Sequence, residues 1–99
     1  MGMKVGFRGR TIQKQYSKLP EEMKDAAEAL MKELEVKGPQ LPNWKNFGPL
    51  AGKEKGSKVF HAHLNKGKPR YVAVWELIAK DEIEILYLGT HEKAAYKRL

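Results

Sequence analysis

Apolar residues in the first third of the chain recur at helical spacing. Ile12, Tyr16 and Leu19 stand at i, i+4 and i+7, which predicts a short helix over residues 11–18. A longer helix is predicted to restart at Pro20 and to end at Lys37, before Gly38-Pro39. Its apolar stripe consists of Met23, Ala26, Ala27, Leu30, Met31 and Leu34.

Alternating patterns predict strands at the start and in the second half of the chain. The segments are residues 3–8, 59–64, 70–78 and 81–88. In the third of these, one face carries Tyr71, Ala73, Trp75 and Leu77, and in the last one Ile83, Ile85 and Tyr87 alternate. Residues 40–58 are rich in Gly and Pro and predict a loop, tethered to the core by Trp44, Phe47 and Leu50.

The order of these elements is β-α-α-β-β-β, and the links between the last three strands are short. Short links favour an antiparallel meander. The sequence therefore predicts one α+β domain over residues 1–99, with two N-terminal helices packed on one face of a small antiparallel sheet. The chain is too short to cover the second sheet face, so we expect that face to be open.

Charge is unevenly distributed along the chain. The 19 Lys and Arg residues exceed the 12 acidic ones, a net charge of +7. Residues 20–37 are acidic, whereas residues 53–70 hold six basic residues and one acid, which suggests either a surface for a polyanion or a solvated lysine-rich loop. The absence of cysteine excludes disulfides and thiolate zinc sites. With no apolar stretch of ~20 residues and no signal-like N-terminus, a cytoplasmic protein without membrane contact is expected.

Two of the three histidines are placed two residues apart in a predicted strand. His61 and His63 would share one face, opposite Phe60, Ala62 and Leu64 on the buried side. Such a pair suits a metal site, a proton-transfer site or a phosphate contact, or simply the solvated side of an amphipathic strand. Zinc is disfavoured because the flanking region is strongly positive and no acid lies near in sequence. We therefore expect no metal and no cofactor.

Three segments together resemble the RelE/ParE toxin superfamily. Residues 89–99 (GTHEKAAYKRL) are similar to its closing motif, in which a glycine after the last strand is followed by a basic or histidine position and then by a tyrosine. Residues 16–22 (YSKLPEE) resemble the corner between its two helices, and residues 41–44 (LPNW) resemble its loop after the second helix. The resemblance extends over residues 3–98.

This resemblance implies a RelE/ParE-like fold and the function of a RelE-like toxin of a type II toxin–antitoxin system. Such a toxin is an mRNA endonuclease, acting on free RNA or on the ribosome, and is held inactive by a cognate acidic antitoxin. The implied catalytic residues are His61, His63, His91 and Tyr96. The family's arginine at the opening of the third strand falls on Val72, and Arg70 on the same face is the expected substitute.

Metal-independent RNA cleavage by the 2′-hydroxyl needs a base, an acid and positive charge. We assign His61 and His63 to base and phosphate contact, His91 to protonation of the leaving group or charge stabilisation, and Tyr96 to stacking or hydrogen bonding. RNA contacts are expected from Lys58, Lys66, Lys68, Arg70, Lys97 and Arg98. Two alternatives remain open: a ParE-like toxin that binds DNA gyrase without nuclease chemistry, and an RNA- or ribosome-binding module that has lost catalysis.

Overall fold

A computed structural model describes residues 2–50 and 58–94 of the chain. The elements are β1 (Lys4–Phe7), α1 (Arg10–Ser17), α2 (Glu21–Lys37), β2 (Gly48–Pro49), β3 (Val59–His63), β4 (Tyr71–Ala79), β5 (Glu82–Thr90) and a 3₁₀ turn at His91–Lys93. Both predicted helices and all four predicted strands are present, with ends that differ by one or two residues. Within the described ranges, no helix is long and apolar enough to cross a membrane.

The two helices pack against a five-stranded sheet of order β1-β5-β4-β3-β2. The α+β class is confirmed, but the prediction of an antiparallel sheet is wrong, because β1 pairs with β5 in parallel. A hairpin forces its two strands to be antiparallel, whereas β1 and β5 are separated by most of the chain, so no short link sets their direction. The fifth strand, β2, lies in the predicted loop and pairs antiparallel with β3. Its Pro49 suits an edge strand, which needs fewer backbone donors.

The main core lies between the helices and the sheet. Leu30 and Leu34 of α2 meet Trp75 of β4 and Ile83 and Ile85 of β5, all with 0% exposure. Removing such side chains from water supplies roughly 1.5–3 kcal/mol each, the dominant stabilising term of a small domain. The predicted face of β4 is confirmed, since Ala73 and Trp75 are in this core and Tyr71 and Leu77 pack against it.

The predicted loop is tethered to the core by its aromatic residues. Phe47 stacks on Phe60 and on Trp75, with ring centroids 5.7 and 6.0 Å apart. The indole Nε1–H of Trp75 donates to the carbonyl oxygen of Pro39 over 2.9 Å, so this buried donor is satisfied. The loop therefore holds a fixed course along the β3 side of the sheet up to Leu50.

The second sheet face is not open in the way the sequence predicts. A second apolar cluster lies on it, formed by Leu50, Val59, Val72, Val74, Leu86 and Tyr87, with Ala94 packed against it. Six of these seven side chains are buried. The expectation failed because it assigned the whole of residues 40–58 to loop. Leu50 instead lies on the sheet beside Val59, and the Leu50 amide donates to the Val59 carbonyl oxygen over 3.0 Å.

A bulge in β5 moves one predicted core residue to this second face. Val74 pairs with Tyr87 but Trp75 pairs with Ile85, so Leu86 is an extra residue on β5. The alternation that places Ile83 and Ile85 in the core is therefore broken before Tyr87, which belongs to the second cluster. The prediction that Tyr87 continues the pattern of Ile83 and Ile85 is wrong for this reason.

Candidate functional site

His61 and His63 lie on the second sheet face, as the spacing predicts. They stand opposite Val74 and Val72 of β4, which belong to the second apolar cluster. Ala62, between them, points to the helix side and is fully buried in the main core. The strand thus divides its side chains by the period of two, and the two imidazoles share a face with apolar neighbours.

The third histidine joins the pair through the pairing of β4 with β5. Thr90 pairs with Tyr71, and the His91 amide then donates to the Arg70 carbonyl oxygen over 2.7 Å. The ring centroid of His63 lies 5.5 Å from that of His91 and 6.4 Å from that of His61. The ring of His63 thus lies close to the rings of both other histidines, and we call this group of three the histidine row.

His61 is held in one neutral tautomer by the edge strand. Its Nδ1 lies 3.1 Å from the carbonyl oxygen of Gly48 in β2. A carbonyl oxygen only accepts, so Nδ1 carries the proton and the lone pair of the neutral ring is on Nε2. Burial lowers the pKa of His61, the Gly48 hydrogen bond opposes this, and the charge of His91 lowers it further. The imidazole of His61 is therefore neutral at pH 7.

His63 is the most enclosed polar side chain of the site, with 8% exposure. Burial is the largest cause that lowers its pKa, followed by the electrostatic repulsion that its protonated ring would meet from His91, Arg70 and His61. Desolvation disfavours the imidazolium, and like charges add to that effect. His63 is consequently neutral at pH 7 as well, and it occupies the centre of a positively charged neighbourhood.

A residue that sequence reasoning missed, Lys45, belongs to this neighbourhood. The carbonyl oxygen of Lys45 accepts a hydrogen bond from the amide of His63 at 2.8 Å. The pKa of the Lys45 ammonium group is lowered, chiefly by the nearby charge of Lys66, with Arg70 contributing. None of these three basic residues forms an ion pair within the described part of the chain. Nothing in the sequence beyond its charge distinguishes Lys45, because only the course of the loop brings it beside β3.

The predicted RNA-binding residues are placed unequally. Lys66 lines a cavity beside His63, and Lys68 and Arg70 line another with His91. Lys58 directly precedes β3 and stands three residues from His61, about 10 Å along an extended strand, and strand alternation places it with Phe60 and Ala62 on the side opposite the histidines. Tyr96, Lys97 and Arg98 lie outside the described residues.

The described histidines and carboxylates do not form a metal-binding group. Across residues 2–50 and 58–94, no group of three or more His, Cys, Asp or Glu side chains is arranged to hold a metal ion. The same three histidines could still transfer protons, because that chemistry does not require their nitrogens to converge on one point.

Comparison of the chain with protein-family models, with curated proteins and with solved structures found no match. The RelE/ParE resemblance therefore rests on the sequence motifs alone, and the function that it implies stays a prediction.

Proposed function

We propose that this protein is a metal-independent endoribonuclease that cleaves mRNA through attack of the substrate's 2′-hydroxyl, and that it acts as the toxin of a type II toxin–antitoxin pair. The observation that carries the proposal is the histidine row. The ring centroid of His63 lies 6.4 Å from that of His61 and 5.5 Å from that of His91, and the basic residues Lys66 and Arg70 are nearby. A phosphodiester needs proton transfer on both sides of the phosphorus together with positive charge, and this row offers both.

The proposed reaction uses a nucleophile that RNA itself carries. A base removes the proton of the 2′-hydroxyl, the 2′-oxygen forms a bond to the adjacent phosphorus, and the bond from phosphorus to the 5′-oxygen breaks. An acid protonates the departing 5′-oxygen. The products are a 2′,3′-cyclic phosphate and a free 5′-hydroxyl. Imidazole, with an ordinary pKa near ~6.5, can serve as either base or acid at neutral pH.

The neutral state of two histidines supports a division of roles. A general base must be unprotonated, and the pKa values of His61 and His63 are lowered chiefly by burial. We assign these two to base and phosphate contact, with Nε2 as the proton acceptor of His61. His91 is exposed at the end of β5 and is assigned to protonation of the leaving oxygen or to charge stabilisation. Lys45, Lys66 and Arg70 would contact the phosphates of the bound RNA.

Two substrates test this chemistry: a short RNA, and the same RNA with a single 2′-deoxy nucleotide at the cut site. Cleavage of each is measured with and without ribosomes. The deoxy substrate should not be cleaved. The products of the unmodified RNA should carry a 2′,3′-cyclic phosphate and a free 5′-hydroxyl. His61→Ala, His63→Ala or His91→Ala should lower the rate about 100-fold or more with little change in binding. Lys4→Ala is the control, because Lys4 is an exposed basic residue on β1, at the edge of the sheet opposite the β3 side. A 5′-phosphate product, or cleavage of the deoxy substrate, would rule the mechanism out.

The basic residues are expected to act on binding instead of rate. Lys66→Ala and Arg70→Ala should each weaken RNA binding and reduce the slope of log K against log salt by about one. Binding measured on 2′-O-methyl RNA, which cannot be cut by this route, separates the two effects. Salt-dependent binding without any cleavage would favour the alternative of an RNA- or ribosome-binding module.

The toxin role has a separate test in cells. Expression of the chain alone should arrest growth, and co-expression of a small acidic protein encoded beside its gene should relieve the arrest. An acidic partner has the charge opposite to that of this chain, whose net charge is +7. The folded variant with alanine at His61, His63 and His91 should be harmless. Full toxicity of that variant would instead favour a ParE-like toxin directed at DNA gyrase.

A further inference from the structure

A cavity of about 360 Å³ opens beside the histidine row, between α2, the loop at residues 43–45 and the turn that leaves β3. Its lining includes His63, Trp44, Glu33, Asn43, Lys45 and Lys66. The volume is within the range of roughly 300–1,000 Å³ that is typical of small-ligand sites. One aromatic ring, one carboxylate and two ammonium groups thus surround a space that the proposed reaction does not yet use.

The aromatic ring is fixed in place by the carboxylate. The Nε1–H of Trp44 donates to Oε2 of Glu33 over 2.9 Å, and Oε1 of Glu33 accepts from Lys37 at 3.1 Å. Trp44 is half-buried and still lines the cavity, so part of its ring is accessible. An indole held in this way offers a preorganised surface to a nucleobase, and such aromatic contacts contribute roughly 1–3 kcal/mol per base.

Glu33 gives the cavity a hydrogen-bonding preference. The hydrogen bonds from Lys37 and Trp44 lower the pKa of Glu33, so it is ionised at neutral pH. An ionised carboxylate is an acceptor with about four lone-pair sites, of which these two bonds use two. Guanine, adenine and cytosine present an exocyclic amino group that can donate to it. Uracil presents carbonyl oxygens at the corresponding positions, and its one ring donor, N3–H, lies between two such oxygens, so the carboxylate would bind it more weakly.

The rim of the cavity is suited to the phosphate of the same nucleotide. Lys45 and Lys66 bring two positive charges close together without a carboxylate partner among the described residues. His63 belongs to the same lining, so the cavity adjoins one residue of the histidine row.

We propose that this cavity binds one base of the RNA substrate and selects bases that carry an exocyclic amino group over uracil, with Glu33 as the selecting residue and Trp44 as the contact surface. The inference rests on the proposed function for the identity of the polymer, but not for the chemistry of the cavity.

The experiment follows the two indole N–H resonances of the ¹⁵N-labelled full chain by NMR. The chain has two tryptophans, and Trp75 is 0% exposed, so Trp44 is the one a ligand can reach. Trp44→Phe assigns the resonances. Titration with GMP, AMP, CMP or UMP should shift the Trp44 signal and leave that of Trp75 in place. The three amino-bearing nucleotides should bind roughly tenfold tighter than UMP, the factor expected when one polar group is left unpaired.

Glu33→Gln tests the selecting residue, because its amide can donate to uracil as well as accept from the other bases. In this variant the preference should disappear, so that UMP and the amino-bearing nucleotides bind with about equal affinity. Glu35→Gln is the matched control: it removes the same charge from the same helix, outside the cavity lining, and should keep the tenfold preference. Equal binding of UMP, an unmoved Trp44 signal, or a preference that survives Glu33→Gln would each overturn the inference.

The outcome is separable from that of the nuclease proposal. Selective nucleotide binding without cleavage keeps this inference and removes the nuclease. Histidine-dependent cleavage without selective binding at Trp44 keeps the nuclease proposal and removes this inference.

Discussion

Lowering the pH from 7.5 to 5.5 should destabilise the protein through His61 and His63. Both are enclosed on the second sheet face, and burial is the largest cause that lowers their pKa values. In the unfolded chain each returns to an ordinary pKa near ~6.5. Below that pH the unfolded state binds protons that the folded state does not, so the free energy of unfolding decreases as the pH falls. The loss stops once the pH has passed the folded pKa values.

The size of the effect has an upper limit set by the number of protons. Each histidine that stays neutral in the folded state lowers the free energy of unfolding by at most about 1.4 kcal/mol for each unit by which the pH falls. Two give at most about 2.7 kcal/mol between pH 6.5 and 5.5, which is a large part of the roughly 5–15 kcal/mol that stabilises a typical domain. Electrostatic repulsion from His91 and Arg70 adds to burial in lowering the pKa of His63.

The assay is urea denaturation at a series of pH values from 8 down to about 5, above the range in which carboxylates titrate. At a slope of roughly 1 kcal/mol per M urea, the limit above is a midpoint shift of about 2–3 M. The double variant His61→Gln, His63→Gln should show a much flatter pH dependence. The comparison uses the slope, so a uniform loss of stability from the substitutions does not disturb it. An equal slope in the variant and the wild type would refute the argument that these two imidazoles are neutral in the folded protein.

Three further substitutions test the packing, each by urea denaturation at pH 7.5. Gly89→Ala should cost about 1–3 kcal/mol, because its Cβ would meet the hydroxyl of Tyr87 at 2.7 Å; a cost under ~0.5 kcal/mol would show that the ring moves aside. Phe47→Ala should lower the free energy of unfolding by about 2 kcal/mol, because the ring contacts with Phe60 and Trp75 are lost. An unchanged stability would show that Phe47 does not hold the loop against the core. Arg8→Gln should cost less than about 1 kcal/mol, because its side chain is 45% exposed, and a cost that persists at about 1 M salt would contradict a screened ion pair with Glu76.

Local features of the sequence predicted the elements and one aspect of the site. The spacing of apolar residues and the flanking Pro20 and Gly38 located α2, since helix periodicity and helix ends depend on residues a few positions apart. The period of two placed His61 and His63 on one face for the same reason. These are properties of a single segment, and no contact with the rest of the chain is needed to infer them.

The tertiary structure determined the remaining features, because each depends on which distant segments meet. The parallel pairing of β1 with β5 joins the two ends of the domain, and no hairpin signals it. One extra residue at Leu86 turned Tyr87 to the other face, as any shift of one position does in a strand. Lys45 reached His63 through the course of a loop, and His91 reached it through the pairing of β4 with β5. The sequence by itself thus determined which side chains share a segment's face, and only the packing of those segments brought the histidines and lysines into one site.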